Sequence, residues 1–298
     1  MSIHIGLDLG GTKIEIVVID DKYKILYRKR VPTQSEKGSD HVLDRIDYLY
    51  KKATQLFKNK KHTIGIGTPG SISQKNGLLR NSTIYCQNGL PLLNLIENKL
   101  QHSVVIENDA NCFALAEAKI GAGKSYRLVF GIILGTGCGG GFVLDNKLWS
   151  GFHGLAGEWG HSTIDMDGPK CFCGKRGCIN TFISGTGLEN ILFNGIKKKK
   201  TAEYFLNQKK YSMIEQEILD EFYNNFGKAI VNIINIIDPN VIVVGGGLSN
   251  NDDLYTKGIK RVIENSLNND EGITPIKRNA LGDSAGVLGA ALLPFQEK

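Results

Sequence analysis

Two glycine turns, each set between a pair of short apolar strands and lying more than 100 residues apart, constrain the fold of this chain most tightly. Residues 3–20 read IHIGLDLGGTKIEIVVID. Ile3, Ile5 and Leu7 alternate before the turn, and Ile14, Ile16 and Val18 alternate after it. A period of two on both sides of a Gly-rich turn is the pattern of a β-hairpin. Residues 127–145, RLVFGIILGTGCGGGFVLD, repeat the design around GTGCGGG. Two copies of one device predict two similarly folded lobes, each presenting a glycine hairpin. The 298 residues suit that division, at roughly 100–200 residues per domain.

Between and beyond the hairpins, strands alternate with helices. Residues 40–58 form an amphipathic pattern with Val42, Leu43, Ile46, Leu49, Tyr50 and Leu56 near one face. Short strands are expected at 62–67, 103–107 and 241–244, and helices at 92–100, 109–120, 201–207, 213–237, 252–266 and 284–293. This interleaving argues an α/β fold. With no low-complexity linker, the expected lobes are residues 1–110 and 111–283. A closing segment, 284–298, should pack back onto the first lobe.

Composition excludes several classes of function. Hydrophobic residues make up 41% and charged residues 22%, as in an ordinary soluble domain. The net charge of +6 is mild, and its densest run, the four lysines at 197–200, reads as a solvated helix face. No basic stripe interleaved with aromatics appears, so nucleic acid is not an expected partner. No apolar run approaches the roughly 18–20 residues that span a bilayer, so no membrane association is expected. The opening MSIHIGLDLGG has none of the marks of a signal peptide, which points to the cytoplasm. Cys86, Cys112 and Cys138 are scattered among apolar neighbours rather than arranged as a disulfide framework.

The turn Asp8-Leu9-Gly10-Gly11-Thr12-Lys13 has the chemistry of a phosphate clamp. Gly10 and Gly11 lack Cβ atoms, so main-chain N–H groups can approach an anion. Thr12 adds a hydroxyl and Lys13 a charge, while Asp8 suits Mg²⁺, held through water. A tight hairpin without a ligand has the same glycines. The second hairpin at 135–141 and a third glycine run at 245–247 favour the clamp. Two other matches fail on context. Residues 118–125, AKIGAGKS, resemble a relaxed P-loop, but a helix precedes them and a strand follows, the reverse of what a P-loop requires. Gly135, Gly137 and Gly140 satisfy G-x-G-x-x-G but lead into a strand, so they are not a dinucleotide fingerprint.

Two further clusters carry chemistry. Glu107-Asn108-Asp109-Ala110-Asn111 joins a strand to a helix. Asp109, at or near the helix N-cap, is either a structural cap or a general base, and a helix N-terminus would lower its pKa. Asn108 offers both donor and acceptor to the hydroxyl groups of a ligand. His161, Cys171, Cys173 and Cys178 supply four soft or borderline ligands within 18 residues, a set suited to tetrahedral Zn²⁺. Such a closed site would be structural.

Together these stretches resemble the ROK family (repressors, uncharacterised open reading frames and sugar kinases) over nearly the whole chain. The matching segments are DLGGTK at 8–13, TPGSIS at 68–73, ENDANCFALAEA at 107–118, LGTGCGGG at 134–141, HGLAGEWGH at 153–161, CFCGKRGC at 171–178 and IDPNVIVVGGGLS at 237–249. TPGSIS, Asn-Gly-x-Pro at 88–91, FISGTG at 182–187 and TPIKRNALGDSAGVLGAA at 274–291 look most like the bacterial fructokinases of that family. The resemblance implies a two-lobed actin- and hexokinase-like fold, with ATP and Mg²⁺ in the interlobe cleft. It implies transfer of phosphate to the 6-position of a free hexose, D-fructose or mannose first. The alternative is an N-acetylglucosamine kinase or glucokinase.

By the same resemblance Gly10, Gly11, Thr12 and Lys13, with Gly135, Thr136 and Gly137, would hold phosphates. Gly245, Gly246 and Gly247 would border the adenosine. Asp109 would be the base, and Gly70, Asn108, Glu158, His161 and Asn180 would line the sugar. His161 would also bind zinc. The family usually carries Glu where this chain has Asn180. Repressors of the family carry a helix-turn-helix before DLGGT, for which the seven residues preceding Asp8 leave no room. A homodimer is the default expectation for such folds.

Overall fold

A computed structural model describes residues 2–58, 60–267 and 274–296; residues 297–298 of the expected closing segment lie outside the described residues. The first half runs β1 (Ile3–Leu9), β2 (Lys13–Asp20), β3 (Ile25–Pro32), α1 (Ser39–Leu56), β4 (His62–Thr68), a small ribbon of β5 (Ser71–Ile72) and β6 (Leu79–Arg80), α2 (Leu92–Leu100), β7 (Val105–Asn108) and α3 (Asp109–Ile120). The second half runs β8 (Leu128–Leu134), β9 (Cys138–Leu144), β10 (Lys147–Trp149), α4 (Asn180–Ile183), α5 (Gly185–Ile196), α6 (Ala202–Leu206), α7 (Met213–Ile237), β11 (Val241–Gly245), α8 (Lys257–Asn265), β12 (Ile276–Arg278) and α9 (Ala285–Leu292).

Two five-stranded sheets carry the same plan, in the orders β3-β2-β1-β4-β7 and β10-β9-β8-β11-β12. In each, three antiparallel strands are followed by two added in parallel. The two glycine turns are therefore equivalent: each joins the central strand of its sheet to the neighbour on its antiparallel side. The duplication expected from the sequence is present at the level of topology. The relaxed P-loop match falls in the turn between α3 and β8, helix before and strand after.

Three apolar clusters hold these layers together. One covers the first sheet beneath α1 and α2, and another covers the second sheet beneath α5 and α7. The third lies between the sheets, where α3 and α9 meet Val17, Ile19, Val129, Val243 and their neighbours. The helices approach closely because glycine removes the side chain at the contact. A Cβ on Gly65 of β4 would overlap the Ala290 carbonyl, and one on Gly289 of α9 would overlap the Cys112 carbonyl. So α9 lies against β1 and β4 on one side and α3 on the other, while α3 also packs on β8 and β9.

Several details differ from the sequence reading. The helix expected at 252–266 is broken into a 3-10 turn, Asp252–Tyr255, and α8. Strand β3, which is not among the expected strands, carries Arg28, Lys29 and Arg30 on the edge of its sheet. Helix α5 opens with Gly185-Thr186-Gly187, poor helix formers that the Ser184 cap compensates by accepting from the Gly187 N–H. No helix among the described residues is long and apolar enough to cross a membrane.

Candidate active site

The first turn of α3 sits where both glycine hairpins reach the space between the sheets. Asp109 opens the helix. Behind it, Ala110 packs on Gly139 of β9, where a Cβ would come 2.9 Å from the Ala110 Cβ. Asp8, near the end of β1, borders the start of α9, its Oδ2 3.4 Å from where a Cβ on Gly286 would stand. Asp109 thus stands between the roots of the two turns, with Asp8 beside it.

The helix cap is Asn108 rather than Asp109. Its Oδ1 accepts from the N–H groups of Ala110 at 2.9 Å and Asn111 at 3.4 Å. Its Nδ2 donates to the Gly70 carbonyl at 2.9 Å. Gly70 has φ 81°, open to glycine, and its carbonyl is committed to this brace. Asn108 and Gly70, both expected at the sugar, thus also fix the strand-to-helix turn that presents Asp109.

The charge state of Asp109 departs from the sequence expectation. Burial, then the charge of Asp8, pushes its pKa up to about 7, and Glu158 adds in the same direction. The Ala110 N–H bonds Oδ1 at 2.8 Å and pulls the other way, without prevailing. The helix terminus is present, but desolvation and like charge outweigh it. Burial and then Glu15 push Asp8 up to about 6, against the lowering pull of Lys13 and Arg30. Glu15, directly across from Asp8 in the β1–β2 register, is buried and ion-paired to both Arg28 and Arg30.

The glycines divide by what surrounds them. Gly10 is required by the turn, since a Cβ would lie 2.8 Å from the Lys13 carbonyl. Gly11 and Gly135 meet nothing closer than 3.8 Å, and Gly247 meets nothing within 4 Å. Gly247 thus faces open space, while a Cβ on Gly11 or Gly135 would make only ordinary van der Waals contact. Gly245 and Gly246 instead serve the fold: Gly245 is pressed on the Phe113 ring, and Gly246, at φ 83°, on the Leu134 carbonyl. Thr12, Lys13, Thr136 and Gly137 are exposed on the two turns. Asn180, expected at the sugar, directs Oδ1 to the Cys138 N–H at 2.9 Å, bracing the second hairpin.

A 3-10 turn, Trp159–His161, begins after Glu158, whose charge acts on Asp109, and ends on His161. The Trp159 indole N–H donates to the Gly139 carbonyl at 2.9 Å and ties the turn to β9. His161 Nδ1 is 3.6 Å from Cys171 Sγ, and the sulfurs of Cys173 and Cys178 are 3.6 Å apart. All four ligand atoms lie within 4.8 Å of one another. Thiolates around a tetrahedral Zn²⁺ stand about 3.8 Å apart, so the donor set fits that ion.

Two ties that sequence reading missed bind the loop before Glu158 to the first half of the chain. Ser150 Oγ donates to Glu107 Oε2 at 2.6 Å, and Arg80 Nη2 donates to the His153 carbonyl at 3.0 Å. Near them opens a cavity of about 690 Å³ whose lining includes Arg80, Ser82, Thr83, Tyr85 and Phe172. Thr83 also lies beside Gly11, so this space adjoins the first hairpin.

A sequence model of the ROK family matches residues 4–297. The chain belongs to the ROK family. Among ROK relatives, the N-acetyl-D-glucosamine kinase of Histophilus somni (strain 129Pt) is 37% identical over 303 residues, covering 97% of this chain and 98% of that protein. The enzyme of the same name from Haemophilus influenzae (strain 86-028NP) is 37% identical over 305 residues, with the same coverage of each. The crystal structure of a ROK hexokinase from Thermus thermophilus superposes with a TM-score of 0.87 at 28% identity, over 99% of this chain and 100% of that one. A ROK glucokinase from Streptomyces griseus, solved with glucose and AMPPNP, gives 0.79 at 28% identity, over 98% and 99%. The two-lobed fold expected from the resemblance is therefore that of ROK hexokinase-type proteins.

Proposed function

We propose that this ROK protein is an ATP-dependent kinase of N-acetyl-D-glucosamine, transferring the γ-phosphate of ATP to the 6-hydroxyl of the free sugar. One observation supports the kinase reading above others: a part-buried carboxylate, its pKa pushed up to about 7 by desolvation and the neighbouring Asp8, stands between two solvent-exposed glycine turns. A general base works best when its pKa lies close to the working pH. The relatives at 37% identity, named N-acetyl-D-glucosamine kinases, favour that substrate over the fructose expected first.

In this reading the turns at Gly10, Gly11, Thr12 and Lys13 and at Gly135, Thr136 and Gly137 take the phosphates through main-chain N–H groups. Gly247 borders the nucleoside, with Gly245 and Gly246 shaping the bend behind it. The sugar oxygen bonds to the γ-phosphorus as the bond from phosphorus to the β,γ-bridging oxygen breaks, ADP leaves, and Asp109 accepts the hydroxyl proton. Because that transition state is loose, position matters more than basicity. Asp8 suits Mg²⁺, which when bound neutralises phosphate charge. Glu158 and His161 line the sugar, and His161, Cys171, Cys173 and Cys178 would hold Zn²⁺, which would fix the orientation of the imidazole. Asn108 can add its second amide hydrogen to a sugar hydroxyl.

ADP release measured with MgATP against N-acetylglucosamine, glucose, mannose and fructose tests the proposal. The acetamido sugar should give the highest kcat/KM. A clear preference for fructose would restore the first expectation, and no turnover with any hexose would refute the kinase reading.

A further inference from the structure

The first glycine hairpin is held in shape by a residue outside it. Thr33 follows β3 and is fully buried. Its hydroxyl donates to the Gly10 carbonyl at 2.6 Å, and its N–H donates to the Thr12 carbonyl at 3.0 Å. The Gly10 N–H closes the turn on the Lys13 carbonyl at 2.9 Å. Three carbonyl oxygens that would repel an anion are thereby turned into the protein. In a planar trans peptide, C=O and N–H point in opposite directions. Pinning the Gly10 carbonyl toward Thr33 therefore sends the Gly11 N–H the other way. That N–H and the Thr12 N–H donate to no acceptor among the described residues. Gly11 itself is exposed.

The second hairpin reaches the same end by other means. The N–H groups of Gly185 and Thr186, at the start of α5, donate to the carbonyls of Gly135 at 2.7 Å and Thr136 at 3.3 Å. The N–H groups of Thr136 and Gly137 are thereby directed away from α5. Both of those bonds come from the main chain. At the first hairpin, one of the two comes from a single hydroxyl, where substitution can remove it.

We infer that Thr33 is a positioning residue for the nucleotide: its hydroxyl sets the plane of the Gly10–Gly11 peptide so that the N–H faces the phosphates of ATP. The inference rests on the reading of this turn as a phosphate clamp. A peptide between two glycines meets the least steric resistance to flipping. Without the hydroxyl, the part-buried Gly10 carbonyl is left without its partner, a cost that a flip toward the cleft relieves. The flipped peptide presents oxygen to phosphate.

Steady-state kinetics of the full-length protein with MgATP and N-acetylglucosamine test this, on wild type, Thr33→Val and Thr33→Ser, with the Tm of each. Valine keeps the shape and removes the donor; serine keeps the donor. T33V should raise KM for MgATP by about 5- to 20-fold, the weight of one hydrogen bond in a binding constant. Its kcat and its KM for sugar should stay within about twofold, and T33S should match wild type. The inference is overturned if T33V keeps the wild-type KM for MgATP, if T33S is as impaired as T33V, or if the loss spreads evenly over kcat and both KM values. Should T33V fail to fold, T33A takes its place under the same criteria. If neither folds, the hydroxyl serves the fold rather than the nucleotide, and the inference falls. A wild type that neither binds nor turns over MgATP would refute the phosphate clamp and Thr33 with it. An active wild type matched by T33V refutes Thr33 alone.

Discussion

The charge of Asp8 raises the pKa of Asp109, second only to burial. The two carboxylates come from different elements, β1 and α3, brought together where the sheets face each other. A base whose pKa is raised in this way is half-protonated near neutrality, and its proton affinity depends on how much negative charge its neighbour retains.

The first consequence is a pH profile. With a pKa of about 7 in the ligand-free protein, Asp109 is ionised above that pH and protonated below it. As the base it must be ionised, so kcat/KM for MgATP should fall as pH drops through about 7, approaching tenfold per unit below it. A flat profile down to pH 5.5 would remove Asp109 from that role.

Asp109→Asn should separate catalysis from stability. Turnover should drop by about 10²- to 10⁴-fold, the usual worth of a general base, with MgATP binding retained. The folded state binds the Asp109 proton more tightly than the unfolded chain does, so ionisation costs stability as pH rises from about 4 to 7, and the full cost is present at pH 8. Removing the charge should therefore raise Tm at pH 8 by about 2–4 °C, with the gain fading below pH 4. A lower Tm at pH 8 would contradict the assignment.

How much of this was legible in the sequence depends on the distance over which each effect acts. The strand-to-helix turn at Asp109 and both glycine hairpins are local patterns, and they stand where the sequence placed them. The direction of the Asp109 pKa was not legible, because it is raised first by burial in the folded chain and then by the charge of Asp8, about 100 residues away in β1. The helix terminus, the one local cue, pointed the wrong way. Asn180 looked like a sugar contact from its own motif, yet its oxygen is bonded to Cys138, 42 positions earlier. Thr33 gave no local sign at all. Glu117 gave a sign that went unread: a carboxylate in the midst of the apolar helix FALAEA.

Glu117 is fully buried and accepts three main-chain N–H groups: Ala122 at 2.8 Å, Ala280 at 3.1 Å and Leu281 at 2.9 Å. It thereby ties α3 to the turn after it and to the approach to α9. Glu117→Gln keeps the size but replaces an acceptor oxygen with a donor. The cost should be about 1–3 kcal/mol, read as a Tm lower by several degrees. A variant as stable as wild type would show that those N–H groups find other partners.

Metal analysis of the purified protein should find one zinc per chain. Stripping it should lower Tm by several degrees, because ion binding contributes to the folding of the loop that holds Cys171, Cys173 and Cys178. KM for sugar should rise as well, since His161 loses its anchor. An unchanged Tm after verified removal would leave the cluster as free thiols.

The wedge formed by α9 has a bearing on how the chain is made. Helix α9 covers glycines of β1 and β4, strands that leave the ribosome more than 200 residues earlier. Until residues 285–292 emerge, one face of the first sheet has no cover, and the nascent lobe must wait, apolar surface bare, for the helix that closes it. Early termination anywhere before that point would release an aggregation-prone fragment rather than a smaller working lobe.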